Sequence, residues 1–442
     1  MRLPKVDKVA NKDEFKGLFY PLILRLTKVV IEEQRAKMLE NLDSFDENSI
    51  EDIVVNEILK RYKNYQNLEL KPLINATGVV LHTNLGRAPI HPEILRRAST
   101  TIQSYSNLEY DLQSGKRGQR YEYTSLLAKE LFGRDAIVVN NNASAVFLIL
   151  NTFAKNKEVV LSRGELVEIG GSFRIPEVMS SSGAILKEVG TTNKTNLNDY
   201  ENAINEQTSM LMKVHKSNFS IQGFSQSVNL DGIVNLAKEK QILDYYDLGS
   251  AYINPLPYAL GKDEPPLSKV LKTGISLVSF SGDKLFGSVQ CGIIVGKKSL
   301  LDKLRKNQLF RMLRVDKVTL SILNETIKAY INKEFDLITA TSQIYKDTDA
   351  LLGLANALQE KVKFDTKVIQ TKTVVGGGTL PNKEYPSIAL AFKGDSEWFE
   401  LKFRQNGVIG RIENGSFLLD FRSVLDKDLD SLKEICERIY NE

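Results

Sequence analysis

The chain has 442 residues, 42% of them hydrophobic, and a formal net charge of +4 at neutral pH. This length and composition allow a large buried core and two or three domains. The two cysteines, Cys291 and Cys436, have no disulfide or metal-ligand spacing. The N-terminus lacks an apolar signal core, and no apolar run reaches the ~18 residues of a membrane span. Secretion, membrane spanning and a metal site are disfavoured, and a cytoplasmic enzyme is expected.

The N-terminal segment, residues 1 to about 66, has the pattern of short helices. Apolar residues recur at helical spacing over residues 15–30 and 50–65, which predicts two helices. Residues 1–70 carry 12 Lys or Arg and 13 Asp or Glu. Charge alone therefore does not indicate nucleic-acid binding by this segment.

Apolar strands alternate with helical stretches from about Lys71 to Arg314, as in an α/β sheet covered on both faces. Three of these strands are predicted at residues 136–139, 158–161 and 210–214. After about Val318 an amphipathic helix leads into a smaller domain, with strands predicted at 387–392 and 416–421 and a closing helix at 428–440.

Residues 137–150 read as a strand, a polar turn and an apolar helix. Free backbone N–H groups at the start of that helix, at Asn142, Ala143 and Ser144, form an anion site suited to a cofactor phosphate. Taken alone, the same turn is equally well interpreted as a plain helix N-cap.

A second short hydrophobic strand, within residues 243–249, is predicted to end at the carboxylate of Asp247. A buried aspartate facing the pyridine nitrogen of pyridoxal phosphate (PLP) keeps that nitrogen protonated. Asp247 precedes Lys284 by 37 residues (284 − 247), which leaves room for one crossover and a return strand. Without Lys284 it would be an ordinary turn aspartate.

Lys284 follows an apolar strand and a glycine turn, in Ser279-Phe-Ser-Gly-Asp-Lys284. A lysine placed there is partly desolvated, so its neutral amine becomes accessible and can hold PLP as a Schiff base. Ser281 is a further candidate cofactor contact, and Asp283 either tunes the lysine or shapes the turn. The order of phosphate turn, acidic strand end and lysine strand end favours PLP over an ordinary loop lysine.

Four segments also carry a family resemblance: residues 74–89, 107–112, 115–121 and 279–284. They resemble the bacterial selenocysteine synthases, the L-seryl-tRNA(Sec) selenium transferases. The resemblance extends over the whole chain, and residues 74–89 are its most specific part. One departure follows the lysine, where the family usually has Gly-Gly-Pro-Gln and this chain has Gly287-Ser-Val-Gln290. It loosens a turn but removes no chemical group.

The resemblance implies an aspartate aminotransferase-like (fold type I) α/β fold with a small helical N-terminal domain and an α+β C-terminal domain. The implied domains are a tRNA-binding domain at 1–66, a PLP-binding catalytic domain at 67–318 and a small domain at 319–442. The implied assembly is a homo-oligomer with a dimer as the minimal unit, completed as a ring of dimers (a decamer). Such a ring would use its N-terminal helices to recognise the shape of the tRNA.

The resemblance further implies conversion of L-seryl-tRNA(Sec) into L-selenocysteinyl-tRNA(Sec), by β-elimination of water to an aminoacrylate and addition of selenium from selenophosphate. Arg87, Arg311 and Arg314 match family positions associated with that anion. On a helix, Arg311 and Arg314 would share a face. Structural ion pairs are the alternative role for all three.

Three further residues, Arg117, Arg120 and His215, approach the cofactor or substrate in this interpretation, although a structural role explains each equally well. Residues 297–317 hold eight basic and two acidic residues, which indicates either a solvated helix face or an anion-binding surface. Two other functions stay open: a PLP lyase or aldolase acting on a free small amino acid or amino sugar, and a non-enzymatic RNA-binding protein. An intact Lys284 with Asp247 disfavours the second.

Overall fold

Two units, Met1–Pro72 and Leu73–Glu442, make up the chain. The computed structural model describes residues 3–40, 50–169, 173–216, 221, 223–262 and 264–442. None of the helices in these ranges is long and apolar enough to cross a membrane.

The first unit is helical. It contains α1 (Val6–Ala10), α2 (Tyr20–Glu40) and α3 (Ile50–Asn67). The apolar faces of these helices meet around fully buried residues such as Ile23, Val30, Val54 and Ile58. Both predicted helices are confirmed, although the first begins five residues later than predicted and runs to residue 40.

The second unit begins with alternating short strands and helices up to residue 296. In chain order these are β1 (Ile74–Asn75), α4 (Pro92–Gln103), β2 (Tyr110–Asp111), β3 (Lys116–Arg117), α5 (Glu122–Phe132), β4 (Asp135–Val139), α6 (Asn142–Phe153), β5 (Glu158–Ser162), β6 (Glu168–Ile169), β7 (Phe173–Arg174), α7 (Ile175–Ser182), β8 (Ile185–Val189), α8 (Leu197–Ala203), β9 (Thr208–Val214), α9 (Leu230–Glu239), β10 (Leu243–Ser250), α10 (Leu267–Lys272), β11 (Leu277–Ser281) and β12 (Gly292–Gly296).

The rest of the unit is helical at first and then mixed. It contains α11 (Lys298–Lys306), α12 (Gln308–Leu313), α13 (Lys317–Ile331), α14 (Thr339–Tyr345), α15 (Thr348–Gln359), β13 (Thr366–Gly376), β14 (Thr379–Phe392), α16 (Ser396–Gln405), β15 (Val408–Ile409), β16 (Arg411–Glu413), β17 (Ser416–Asp420) and α17 (Leu429–Asn441). All six strands placed by residue range from the sequence, and the closing helix, are present.

The large sheet has seven strands among the described residues, in the order β4, β12, β11, β10, β9, β5, β8. Strand β12 runs antiparallel to both of its neighbours, and the other strand pairs are parallel. The neighbours β10 and β11 are joined by a single crossover containing α10, as the spacing between Asp247 and Lys284 predicted. The carboxyl ends of the parallel strands therefore meet at one edge, where open α/β sheets bind their ligands.

Both faces of this sheet are covered. Along β4, Ala136 and Val138 belong to one buried cluster, whereas Ile137 and Val139 belong to another. All four are at most 1% exposed. Because successive strand residues point to opposite faces, this alternation requires packed layers on both sides, as predicted.

A second sheet, in the order β13, β14, β17, β16, is antiparallel. Helix α13 begins next to the predicted domain boundary at 318, but its buried residues Leu320, Leu323 and Ile327 belong to a core cluster of the large sheet. The division into a catalytic and a C-terminal domain stays a prediction.

Candidate active site

Lys284 lies in a tight loop that joins the parallel strand β11 to the antiparallel strand β12. The N–H of Gly282 donates to the carbonyl of Cys291 at 2.8 Å, and the N–H of Leu285 donates to the Ser250 hydroxyl at 3.3 Å. A Cβ on Gly282 would lie 2.5 Å from the Cys291 sulfur, so glycine is required there. The loop is thus anchored to both neighbouring strands and fixes the origin of the lysine side chain.

The turn at 287–290 is held firmly, in contrast to the loosening expected from its departure from the family pattern. Gly287 has φ of 71°, and a Cβ on it would lie 2.5 Å from Ile338. The Ser288 hydroxyl is 2.9 Å from the hydroxyl of Thr326 in α13. Serine at 288 therefore links the lysine loop to a neighbouring helix.

The amine of Lys284 is buried, since the residue is 5% exposed. Burial lowers the pKa of Lys284, and the Arg87 guanidinium lowers it further, whereas the nearby carboxylates raise it. Among the described residues, Lys284 Nζ has neither a hydrogen bond nor an ion pair. A desolvated lysine of this kind provides a nucleophilic amine. The desolvation predicted from the sequence is confirmed.

Cys291 lies beside this loop and is 1% exposed. Burial raises the pKa of its thiol, so the reactive thiolate is disfavoured. The side chain packs as a small apolar residue.

Asp247 lies in the middle of the sheet, next to the lysine strand. Its residue pairs are Val214 on β9 and Ser279 on β11. The strand does not end at the carboxylate as predicted but continues to Ser250, with a register irregularity after Asp247. That irregularity brings the Gly249 N–H to 3.1 Å from Asp247 Oδ1.

The Asp247 carboxylate is deeply buried and only 2% exposed. Burial raises its pKa, while hydrogen bonds from the Asn142 amide and the Gly249 N–H lower it. No ion pair to this carboxylate is present in the described ranges. A buried anion with neutral donors alone is costly, and a cationic ring N–H placed against it would remove that cost.

At the start of α6, one asparagine side chain caps the helix and the next one binds Asp247. The Ser144 N–H donates to the side chain of Asn141 at 2.8 Å, as in an ordinary N-cap. The Asn142 side chain instead donates to Asp247 Oδ1 at 2.7 Å. The backbone N–H groups of Asn142 and Ala143 donate to no acceptor in the described part of the chain, so they are free to bind an anion.

His215 follows β9 directly, and its backbone N–H donates to the Asp247 carbonyl at 2.9 Å. Its ring Nδ1 is 3.3 Å from the hydroxyl of Tyr246. Its Nε2 is 3.3 Å from Glu264 Oε1, although without hydrogen-bond geometry. The imidazole is therefore held beside Asp247 with one ring nitrogen available.

Arg87 meets the lysine loop from a distant part of the chain. Its Nη1 donates to Asp283 Oδ2 at 2.8 Å, and the N–H of Ala88 donates to the Asp283 carbonyl at 3.3 Å. Asp283 thus joins the lysine loop to residues 87 and 88, and its carboxylate holds the Arg87 guanidinium next to Lys284.

Arg311 and Arg314 do not share a helix face, so that prediction is wrong. Arg311 lies in α12, but Arg314 lies beyond its end with φ of −69° and ψ of 143°. There the chain is extended because it pairs with β4: Arg314 forms a bridge with Val139, and the Asn140 N–H donates to the Leu313 carbonyl at 2.9 Å.

Both arginines nevertheless line one cleft of about 900 Å³, together with Arg117 and Arg120. The lining of this cleft does not include Lys284 or Asp247. The predicted site residues therefore fall into two groups. One surrounds the lysine and contains Asp247, Asn142, His215, Asp283 and Arg87; the other surrounds the arginine cleft.

The lysine group fits PLP. Lys284 offers an amine for the aldehyde carbon, Asp247 a carboxylate for the ring nitrogen, and the start of α6 free N–H groups for the phosphate. Asn142 Oδ1 and His215 Nε2 are buried and make no hydrogen bond to any described residue, so polar atoms are left for a ligand. Ser281, 7% exposed at the end of β11, precedes the lysine by three residues.

The fold is similar to that of a solved D-glucosaminate-6-phosphate ammonia-lyase. The TM-score is 0.60, the sequences are 19% identical, and the match covers 85% of this chain and 99% of that one. At this identity the likeness concerns the fold alone. The architecture and the lysine group define a PLP-dependent enzyme of the aspartate aminotransferase-like fold type I.

Residues 73–425 match the family model described as SelA: L-seryl-tRNA selenium transferase. A relative from Campylobacter fetus subsp. fetus, named L-seryl-tRNA(Sec) selenium transferase, is 57% identical over 100% of this chain and 99% of its own length. One of the same name from Aliarcobacter butzleri is 52% identical over 99% of this chain and 98% of its own length. The chain belongs to the L-seryl-tRNA selenium transferase family.

Sequence reasoning missed several contacts around the site. Tyr246 and Glu264 flank His215, but neither lies in a recognisable motif. Glu109 was part of a motif without an assigned role, and it binds the cleft arginines. Its signal was present, because a carboxylate at 109 is followed by a cluster of arginines at 117 and 120.

Proposed function

We propose that this protein converts L-seryl-tRNA(Sec) into L-selenocysteinyl-tRNA(Sec), with selenophosphate as the selenium donor. The observation that carries the proposal is a buried Lys284, without a hydrogen bond or ion pair to any described residue, close to the buried Asp247 of the adjacent strand. Membership of the selenium transferase family supports the substrate.

Bound PLP supplies an electron sink for the electron pair left when the α-proton of the seryl group departs. Lys284 would hold the cofactor through its amine, and the same amine would be the base that takes the α-proton of the seryl group. Its lowered pKa favours the neutral amine that this step needs. Asp247 balances the positive charge of the ring nitrogen, and Asn142 orients that carboxylate through its hydrogen bond.

The reaction is an elimination followed by an addition. The seryl Cα–H and Cβ–O bonds break and release water. The P–Se bond of selenophosphate then breaks with uptake of water, giving phosphate and a selenium nucleophile that bonds to Cβ. A proton returns to Cα, so the sum is seryl-tRNA plus selenophosphate giving selenocysteinyl-tRNA plus phosphate.

Arginines are suited to the selenium donor because their planar forks match phosphate-type oxygens. We assign Arg311 and Arg314, in the cleft, and Arg87, beside the lysine, to this anion. Arg311 supports the assignment best, since it is exposed and has no hydrogen bond or ion pair with any described residue. Arg117 and Arg120 belong to the same cluster.

The helical first unit is the proposed tRNA-binding domain. This unit has its own hydrophobic core, which supports an independent binding module. The tRNA substrate implies a cytoplasmic reaction. The proposed assembly is a homo-oligomer built from dimers, with a decameric ring as its expected form. Analytical ultracentrifugation measures this directly, and a monomer at micromolar concentration would contradict it.

The test of the activity uses the cofactor-loaded protein with seryl-tRNA(Sec) and selenophosphate, and identifies the aminoacyl product by mass spectrometry. Water loss from the seryl group is measured separately by leaving out selenophosphate. We expect R311A and R314A to retain water loss and to lose selenium incorporation. Turnover of free serine, with no binding of seryl-tRNA(Sec) in a gel shift, would instead identify a lyase.

A further inference from the structure

Glu109 gathers three arginines of the cleft onto one carboxylate. Arg120 donates from Nε to Oε1 at 2.9 Å, and Arg117 donates from Nη2 to Oε2 at 2.9 Å. Arg314 donates from Nη1 to Oε1 at the longer distance of 3.4 Å. Arg120, and after it Arg117, lower the pKa of the Glu109 carboxyl, so this residue is an anion at neutral pH.

Glu109 and Arg120 are both fixed in place. The Glu109 carbonyl accepts the Gly118 N–H at 3.0 Å in the hairpin of β2 and β3. Arg120 has a second anchor, since its Nη1 donates to the Val315 carbonyl at 2.8 Å, and its side chain is 15% exposed. Val315 directly follows Arg314, so Arg120 also holds the segment that carries the other arginine.

Arg314 is held more weakly. Its side chain is 35% exposed, and the 3.4 Å contact with Glu109 is its one ion pair among the described residues. Most of the five guanidinium donors therefore remain available to a second acceptor. Arg311 lines the same cleft without any such partner.

We infer that Glu109 is a positioning residue for the selenium donor: it fixes Arg120 and aims the Arg314 fork into the cleft, where a phosphate-type dianion binds it together with Arg311. This inference rests on the proposed function. It also gives a role to the two motifs at 107–112 and 115–121, which contribute no group to the lysine site.

When Glu109 is neutralised, a positioning role and a purely electrostatic role predict changes of opposite sign in the affinity of the cleft for an anion. Removing a negative charge beside three arginines makes the cleft more positive, so electrostatics alone predicts tighter binding of an anion. If Glu109 instead orients the forks, its loss frees Arg120 and Arg314 to rotate, and bidentate binding weakens. The sign of the change decides between the two roles.

The experiment titrates cofactor-loaded protein with inorganic phosphate by calorimetry at constant ionic strength. Loading the cofactor fills its own phosphate site, so only the cleft is measured. We expect E109Q to bind phosphate on the order of tenfold more weakly, because a charge-assisted fork is lost. The matched control is E122Q, which removes the same charge from a cleft-lining carboxylate that has no arginine partner among the described residues. This variant should bind phosphate as tightly as the wild type or more tightly.

Equal or tighter phosphate binding by E109Q overturns the positioning role. If R311A and R314A bind phosphate like the wild type, the assignment of the arginines fails first, and the inference falls with it. Thermal unfolding of each variant checks folding. Should E109Q not fold, E109D provides the test, since its shorter carboxylate cannot reach all three arginines. This variant should raise the KM for selenophosphate while leaving water loss from the seryl group unchanged. An unchanged KM would refute the role.

Discussion

The Asn142 side chain donates to Asp247 Oδ1 at 2.7 Å, across 105 residues of sequence. This bond ties the start of α6 to the carboxylate in the middle of the sheet. It therefore couples the group that we assign to the cofactor phosphate with the group that we assign to its ring nitrogen.

Replacing Asn142 with Ala should weaken PLP binding by on the order of tenfold, since a hydrogen bond to a buried charge contributes ~1.5–3 kcal/mol. The measurement is an absorbance titration of cofactor-free protein with PLP. The control is N140A, which changes an exposed asparagine two positions earlier and should bind PLP normally. Equal affinities for the two variants would argue against a role of the Asn142–Asp247 bond.

Borohydride reduction of the cofactor-loaded protein should attach the cofactor to the peptide containing Lys284, and K284A should carry no attached cofactor. The reason is that Lys284 is a buried amine without a hydrogen bond or ion pair to any described residue. Lys216 is a stringent control, because burial also lowers its pKa and it lies two residues after the end of β9. Peptide mapping that finds the cofactor on Lys216 would refute the site.

Neutralising Asp247 should stabilise the cofactor-free protein while damaging catalysis. Burial raises the pKa of Asp247 above its ordinary value of 3.8, so the folded state binds this proton more tightly than the unfolded state does. The resulting stabilisation is complete below pH 3.8 and is lost as pH rises through the folded-state pKa. D247N should therefore melt at an equal or higher temperature than the wild type at neutral pH.

With cofactor bound, D247N should instead lose turnover by on the order of 10² to 10⁴, because the ring nitrogen lacks its charge partner. Stopped-flow measurement of water loss from seryl-tRNA(Sec) tests this. Unchanged turnover, or a neutral-pH melting temperature clearly below that of the wild type, would contradict the assigned environment of this carboxylate.

Arg87 and Asp283 should shift the reactivity of Lys284 in opposite directions. The guanidinium lowers the pKa of Lys284 and the carboxylate raises it, so R87A should raise this pKa and D283N should lower it. Acylation of Lys284 in cofactor-free protein, followed against pH by mass spectrometry, measures both. Shifts in the same direction would show that the two residues act through structure and not through charge.

Removing residues 1–72 should abolish recognition of tRNA(Sec) while leaving PLP binding intact, because the two units have separate cores. Recognition by shape should persist in moderate salt even as overall affinity falls. Competition gel shifts with another seryl-tRNA measure the discrimination. A truncated protein that still prefers tRNA(Sec) would disprove the assignment of this unit.

The sequence by itself determined the layers of the fold and the cofactor lysine. Apolar periodicity and strand ends are local properties, so β4, β5 and β9 were recognisable, and Lys284 stood out by its position after a strand and a glycine turn. Asp247 was recognisable for the same reason, although its strand continues beyond the predicted end.

The tertiary structure alone decided which side chains meet. The contact of Asn142 with Asp247 spans 105 residues and that of Arg314 with Glu109 spans 205, and no local pattern encodes such pairs. Arg314 lies outside its predicted helix because pairing with β4 satisfies backbone hydrogen-bonding groups that a further helical turn would leave unsatisfied. Long-range pairing depends on the order of strands in the sheet, and that order is set by packing of the whole unit.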